Sequence, residues 1–184
     1  MTNYLKVIEK LCLFKNLYDC LSESNWVQIF EKLISFLIHI DKEKNLYRFT
    51  QQNNTLITCD EIIASINASI LRLLDFNSPN LLYESLFSLL EKNRKNLITE
   101  KDEYFYSKFK NCLVKLIFKL TKMMPKIYSS LEIKSFIQLL NKYYVLYKDF
   151  SDQFYLKTLK TILSEVAKVM GTSLYDYYEF LEID

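Results

Sequence analysis

"LKTLKTILSEVAKVMG" (156–171) spaces its apolar residues helically, lines lysines along one side and ends on Gly171, the one glycine of the chain. Leu156, Leu159, Leu163 and Val166 recur every three or four residues, which predicts one inward face of an amphipathic helix. Lys157, Lys160 and Lys168 fall on the outer side, with Thr161 and Ser164 between them. A glycine just past the last periodic residue suits the left-handed position that closes many helices, because it has no Cβ to clash there. Such a helix can lie on a membrane, enter a nucleic-acid groove or form one rib of a helical scaffold. The rest of the chain decides among these.

Half of the 184 residues are hydrophobic and a quarter charged, a globular composition long enough for one sizeable core. One glycine and two prolines are too few for hairpin-rich sheets, phosphate-cradling loops or dinucleotide folds, which need glycine in tight turns. An all-α chain with short polar connections remains. The net charge of +2 supplies no strong pull toward nucleic acid or membrane. Of the 24 basic residues 21 are lysine, and arginine is the usual bidentate reader of bases and phosphates, so nucleic acid is disfavoured as a partner. An AT-rich genome produces the same excess of lysine, asparagine, isoleucine and tyrosine.

No apolar run reaches the roughly 18 residues of a membrane span; Lys115 and Lys119 interrupt the most apolar part of the middle. Asn3, Lys6, Glu9 and Lys10 break up the first apolar residues, so the chain reads as soluble and intracellular, without a signal peptide. Asn53 and Asn67 then carry no meaning as glycosylation acceptors. Cys12, Cys20, Cys59 and Cys112 form no CxxC pair, and the one histidine, His39, is not at metal-ligand spacing from them. Buried thiols in a reducing compartment are the simpler reading, with no metal and no cofactor.

Start and stop signals divide the chain into eight helices. The first spans about 3–21 and the second about 25–41. Residues 42–58, "KEKNLYRFTQQNNTLIT", lack a helical period and read as an exposed loop or insertion with room for a short extended pair. Thr58 and Glu61 form a capping box ahead of the third helix, whose stripe is Ile62, Ile66, Ile70, Leu73 and Leu74. Ser78 and Pro79 open a fourth that runs to about 95. Thr99 opens a long fifth, with acids in its first turn and Pro125 at its end. Ser129 and Glu132 cap a sixth, Ser151 a seventh, and residues 173–181 form a short eighth. Four antiparallel pairs of about 35–50 residues suit stacked helical hairpins of the HEAT type; a compact bundle is the alternative. The whole of 1–184 is read as one such domain.

Catalysis finds no foothold. His39 in "FLIHID" has no nucleophile at local spacing, and carboxylates sit in first turns and on polar faces, where they serve the helix. No enzymatic role and no small-molecule substrate is expected. The most specific charge pattern lies on the fifth helix. At 100° per residue, Lys101, Lys108, Lys115, Lys119, Lys122 and Lys126 share a sector of about 60°. Phe105, Phe109, Cys112, Leu116 and Leu120 occupy another sector and are expected to pack inward. Such a stripe attracts an acidic partner, either a glutamate-rich tail or a phosphate backbone; otherwise it is a solvated helix face. Lys157 and Lys160 add to the basic count. Tyr143, Tyr147 and Phe150 are spaced as a packing face more than as a base-stacking platform. Trp26 is either an exposed wedge for a partner or the residue that closes its helix start over the core.

Three stretches carry a family resemblance. "EIIASINASILRLLDFNSPNLLYESLFSLLEKN" (61–93) is similar to the C-terminal TOG-like segment of the ch-TOG/Msps family of microtubule polymerases. "KNCLVKLIFKLTKMMPKIYSSLEIKSFIQLLNKYY" (110–144) resembles that family's cysteine-containing helix, Met-Pro turn and following helix start. "LKTLKTILSEVAKVMGTSLYDYYEFLEID" (156–184) resembles its closing helix and short acidic tail. Residues 42–58 depart from the pattern, and one or two upstream helices and a coiled-coil-like tail of the family have no counterpart.

The resemblance implies a HEAT-repeat domain of a microtubule-associated protein in the cytoplasm, acting at plus ends and spindle poles, with tubulin or an adaptor protein as partner. In such domains the turns within helix pairs hold tubulin, using a tryptophan and basic residues. The corresponding turns are 22–25, 76–79, 125–130 and 171–173. Trp26 stands at a comparable place, but Val27, Gln28 and Ile29 follow it, and Lys126 alone is basic in the later turns.

Overall fold

The computed structural model describes residues 21–42, 49–50, 56–57, 59–75, 78–99, 102–149 and 153–180. Seven α-helices occur among them: α1 (Glu23–Lys42), α2 (Cys59–Asp75), α3 (Pro79–Thr99), α4 (Glu103–Lys122), α5 (Met124–Ile127), α6 (Ile133–Tyr147) and α7 (Gln153–Met170). Tyr128–Ser130 forms one turn of 3₁₀-helix, and Gly171–Phe180 a longer 3₁₀ segment. The expected helix over 3–21 and the Thr58 and Ser151 caps lie outside the described residues. Lys42 closes α1, and within 43–58 the only described structure is a two-residue antiparallel ladder, β1 (Phe49–Thr50) against β2 (Leu56–Ile57), with Phe49 opposite Ile57.

Several starts differ from expectation. Thr99 does not open α4; it ends α3. The cap of α4 is Asp102, whose carboxylate accepts a 3.0 Å bond from the Phe105 amide and satisfies one orphan N–H of the first turn. Pro125 does not so much end a helix as begin one: α4 stops at Lys122, and Pro125 sits in the first turn of α5, where its missing N–H is harmless. Ser129 lies in the 3₁₀ turn, and the Glu132 side chain makes no capping bond to the α6 backbone. The α6 start is held from 52 residues away instead. Asn80 accepts the Glu132 amide at 2.8 Å and donates to the Glu132 carbonyl at 3.0 Å. The expected eighth helix is the 3₁₀ segment. Gly171, at φ +58°, takes the left-handed position as expected.

α3 is the centre of the molecule. It packs on α1, α4 and α6; α1 also carries α2 and touches α4, while α7 lies on α4, α5 and α6. The 3₁₀ segment rests on α6 and α7. Cross-helix bonds give the directions. Glu23 meets Ser88 and Glu31 meets Lys92, so α1 and α3 run the same way. His39 faces Phe105, with ring centroids 5.5 Å apart, so α1 ends where α4 begins.

Tightly packed aromatic rings join α3, α6 and α7 through the core. Tyr83 lies 4.6 Å from Phe136, Phe87 4.4 Å from Tyr143, and Tyr147 4.3 Å from Tyr155. Buried tyrosine hydroxyls favour the neutral form. The Tyr143 hydroxyl is pushed up to about 12 by burial, and burial raises Tyr83 and Tyr147 as well. Tyr83 keeps a partner in Thr121, 3.1 Å away. On α7 the inward face is Tyr155, Leu159, Ile162 and Val166, with Leu156 and Leu163 half-buried on its flank.

Candidate interaction surface

α4 divides cleanly into two faces. Tyr106, Phe109, Leu113, Ile117 and Leu120 are buried at three- and four-residue spacing, one residue round from the expected centre; Phe105, Cys112 and Leu116 are half-buried beside them. Lys108, Lys115, Lys119 and Lys122 are exposed on the opposite side, and Lys126 is exposed on α5. Lys101 lies outside the described residues. From Lys108 to Lys122 the strip is about 21 Å long at 1.5 Å per residue.

The local charge is far above the chain's average. Between Glu103 and Ile127 there are six lysines and one acid, a net charge of +5 against +2 for the whole protein. No carboxylate occurs from Tyr104 to Leu131. The carboxylates of the other helices do not supply the deficit: among the described residues none pairs with Lys115, Lys119, Lys122 or Lys126. Lys110 leaves the strip and lies over the rings of Phe154, at 4.7 Å, and Tyr155, at 5.8 Å, which ties α4 to the start of α7. Lys157 and Lys160 are exposed on α7, the neighbouring helix.

Trp26 does not serve as an exposed wedge. It is fully buried, its ring 6.0 Å from Phe30, because a helix entering over the core hides its largest apolar side chain first. No partner reaches it without opening the fold.

The α4 start holds two groups that sequence reasoning passed over, Tyr104 and Lys42. Tyr104 is 47% exposed, with the Lys108 ammonium 5.5 Å and the Lys42 ammonium 5.9 Å from its ring centroid. Tyr104 lies one turn before Lys108 on the same face, a spacing visible in the sequence; Lys42 arrives from α1 and is invisible there. Lys42 also pairs with Asp102 at 3.7 Å. Cys112 records the local field: burial raises its thiol, Lys115 and Lys108 pull it down, and Asp41 pushes it up.

A shallow open concavity of about 370 Å³ adjoins Tyr104, lined also by Glu103, Ser107, Lys108 and Asn111. A smaller cavity of about 60 Å³ lies among α1, α3 and α4, below the size of a metabolite site. Among the described residues no three metal-ligating groups converge, and no helix is long and apolar enough to cross a membrane. Comparison of the chain with protein-family models, with curated proteins and with solved structures returned no match.

Proposed function

We propose that the chain is a non-enzymatic helical interaction domain that docks an acidic protein through the α4 lysine strip. The observation that carries this is the unneutralised line of Lys115, Lys119, Lys122 and Lys126 within a stretch that has no carboxylate from Tyr104 to Leu131. Repulsion along an exposed line of lysines brings the fold no stability, whereas an acidic segment laid along it gains at every turn.

The resemblance to the ch-TOG/Msps family points to a specific acidic partner, the glutamate-rich tails of tubulin, and to a cytoplasmic, microtubule-associated place of action. The close hairpins are α3 with α4 and α6 with α7, one helix out of step with the pairs expected across the turns at 76–79 and 125–130. The parallel run of α1 beside α3 suits a HEAT-like stack, and the hairpins suit the compact-bundle alternative. The buried Trp26 argues against a grip through the turns of the kind the resemblance implies, and leaves the helix face as the contact.

The test is co-pelleting with microtubules, intact and with their acidic tails removed by protease. Binding that is lost on trimming, and lost in the triple variant Lys115→Glu, Lys119→Glu, Lys122→Glu, is expected. Binding to neither form nor to free tubulin overturns the microtubule assignment and leaves an adaptor for another acidic protein. Equal, salt-sensitive binding to any polyanion, heparin included, overturns the protein-specific reading in favour of nucleic acid.

A further inference from the structure

We infer that the strip holds its partner in one register, with the partner's carboxylates on Lys115–Lys126 and an aromatic side chain of the same partner in the concavity beside Tyr104. The inference rests on the strip reading above and assigns the chemistry of its ligand. The two ends of the strip differ electrostatically. At the α4 start, Lys42 is neutralised by Asp102, Glu103 follows, and Asp41 reaches Cys112 against the pull of Lys108 and Lys115. Further along, Lys115, Lys119, Lys122 and Lys126 meet no acid among the described residues.

The compensated end offers apolar surface instead. Tyr104 is the one large apolar side chain on α4 that is exposed among the described residues. Ammoniums from two helices lie over its ring and restrain it, which lowers the freedom lost on binding. Ser107 and Asn111 line the same concavity and can bond a peptide backbone. Tyrosine in such a setting is a common anchor at protein interfaces.

This gradient separates two kinds of polyanion. A phosphate backbone carries charge at every residue and would set some of it against Asp41, Asp102 and Glu103. A polypeptide can place carboxylates only where the lysines are uncompensated. The spacing follows from helix rise: Tyr104 to Lys115 is about 16 Å, and Lys115 to about Lys126 is another 16 Å. At about 3.3 Å per extended residue, the aromatic side chain precedes or follows an acidic run of about five residues by about five positions.

Two peptides test this by fluorescence anisotropy, five glutamates joined through a four-residue Gly/Ser spacer to a terminal tyrosine or, as control, alanine. The tyrosine peptide is expected to bind about threefold to tenfold tighter. Tyr104→Ala brings it down to the affinity of the alanine peptide, Tyr104→Phe retains the difference, and Lys119→Glu weakens both peptides. Helical circular dichroism checks that the variants are folded. No preference for tyrosine, or a preference that survives Tyr104→Ala, overturns the inference while leaving the strip reading in place. Binding of neither peptide overturns the strip reading and this inference with it. A single-stranded oligonucleotide of matched charge that binds more tightly than the tyrosine peptide overturns the choice of a polypeptide.

Discussion

Along α1 and α3, several charged side chains find partners inside the molecule. Lys92 meets Glu31 at 2.8 Å, Lys95 meets Glu91 at 2.6 Å, and Ser88 donates to Glu23 at 2.7 Å. Along the outer face of α4 and on into α5, Lys115, Lys119, Lys122 and Lys126 find none among the described residues. Both surfaces are helical, both are wet, and both come from the same lysine-rich chain. Being unpaired is not what sets the strip apart, since Lys32 on α1 and Lys157 and Lys160 on α7 also meet no acid among the described residues. What does is that six lysines fall in a stretch with no carboxylate from Tyr104 to Leu131. The contrast separates a surface whose charges close on themselves from one whose charges remain open to a partner.

The largest effects should come from the packing that both surfaces share. Phe87→Ala opens a hole between Tyr83 and Tyr143 and should cost about 3–5 kcal/mol in a denaturant titration, with no selective effect on acidic ligands. Alkaline pH attacks the same region. A tyrosine whose folded pKa is raised holds its proton after the unfolded chain has lost it. The stability from Tyr83, Tyr143 and Tyr147 is thus complete below about pH 10 and falls as pH rises from 10 toward 12, by about 1.4 kcal/mol per pH unit for each. Thermal melts across pH 9–12 read that slope, and a flat profile would show these hydroxyls to be solvated.

Smaller effects sharpen the comparison itself. Asn80→Ala removes both bonds that hold Glu132 and should cost about 1–3 kcal/mol, since the freed amide and carbonyl lie partly buried. Lys92→Ala on the closed surface should cost under about 1 kcal/mol, the ordinary worth of an exposed ion pair. Lys119→Glu on the open surface should leave the melting temperature within a degree or two or raise it, because it relieves repulsion. A marked loss of stability in Lys119→Glu would mean that the strip is answered inside the molecule after all.

How much of this is legible in the sequence depends on whether the deciding interaction is local. Pro79 after Ser78, and Gly171 after a periodic run, act within a few residues, and both mark helix ends where expected. The α4 face could be read because the 3.6-residue period alone puts Lys108, Lys115, Lys119 and Lys122 together. Thr99 and Asp102 are both good capping residues three positions apart, and nothing in the local sequence decides between them. The place of the α6 start is legible, since Glu132 stands at its N-cap position, but what holds it is not, because the clamp is Asn80, 52 residues away. For the same reason Lys42 and Tyr104 went unseen as a pair: a helix wheel shows one helix at a time. Trp26 was ambiguous because an amphipathic residue at a helix start faces inward or outward according to a neighbour that only the fold supplies.

The stacked rings carry a consequence for how the molecule comes apart. Phe136, Tyr83, Phe87, Tyr143, Tyr147 and Tyr155 are shared among three helices, so each ring is covered by one from a different helix. Arrays of identical repeats can fray from an end, shedding a unit and leaving the next intact. Here, peeling away α7 strips the cover from Tyr147, and lifting α6 leaves Tyr83 and Phe87 facing water. Removing α7, or α6 with it, would cut through this interlock, so α3, α6 and α7 should unfold as one cooperative unit.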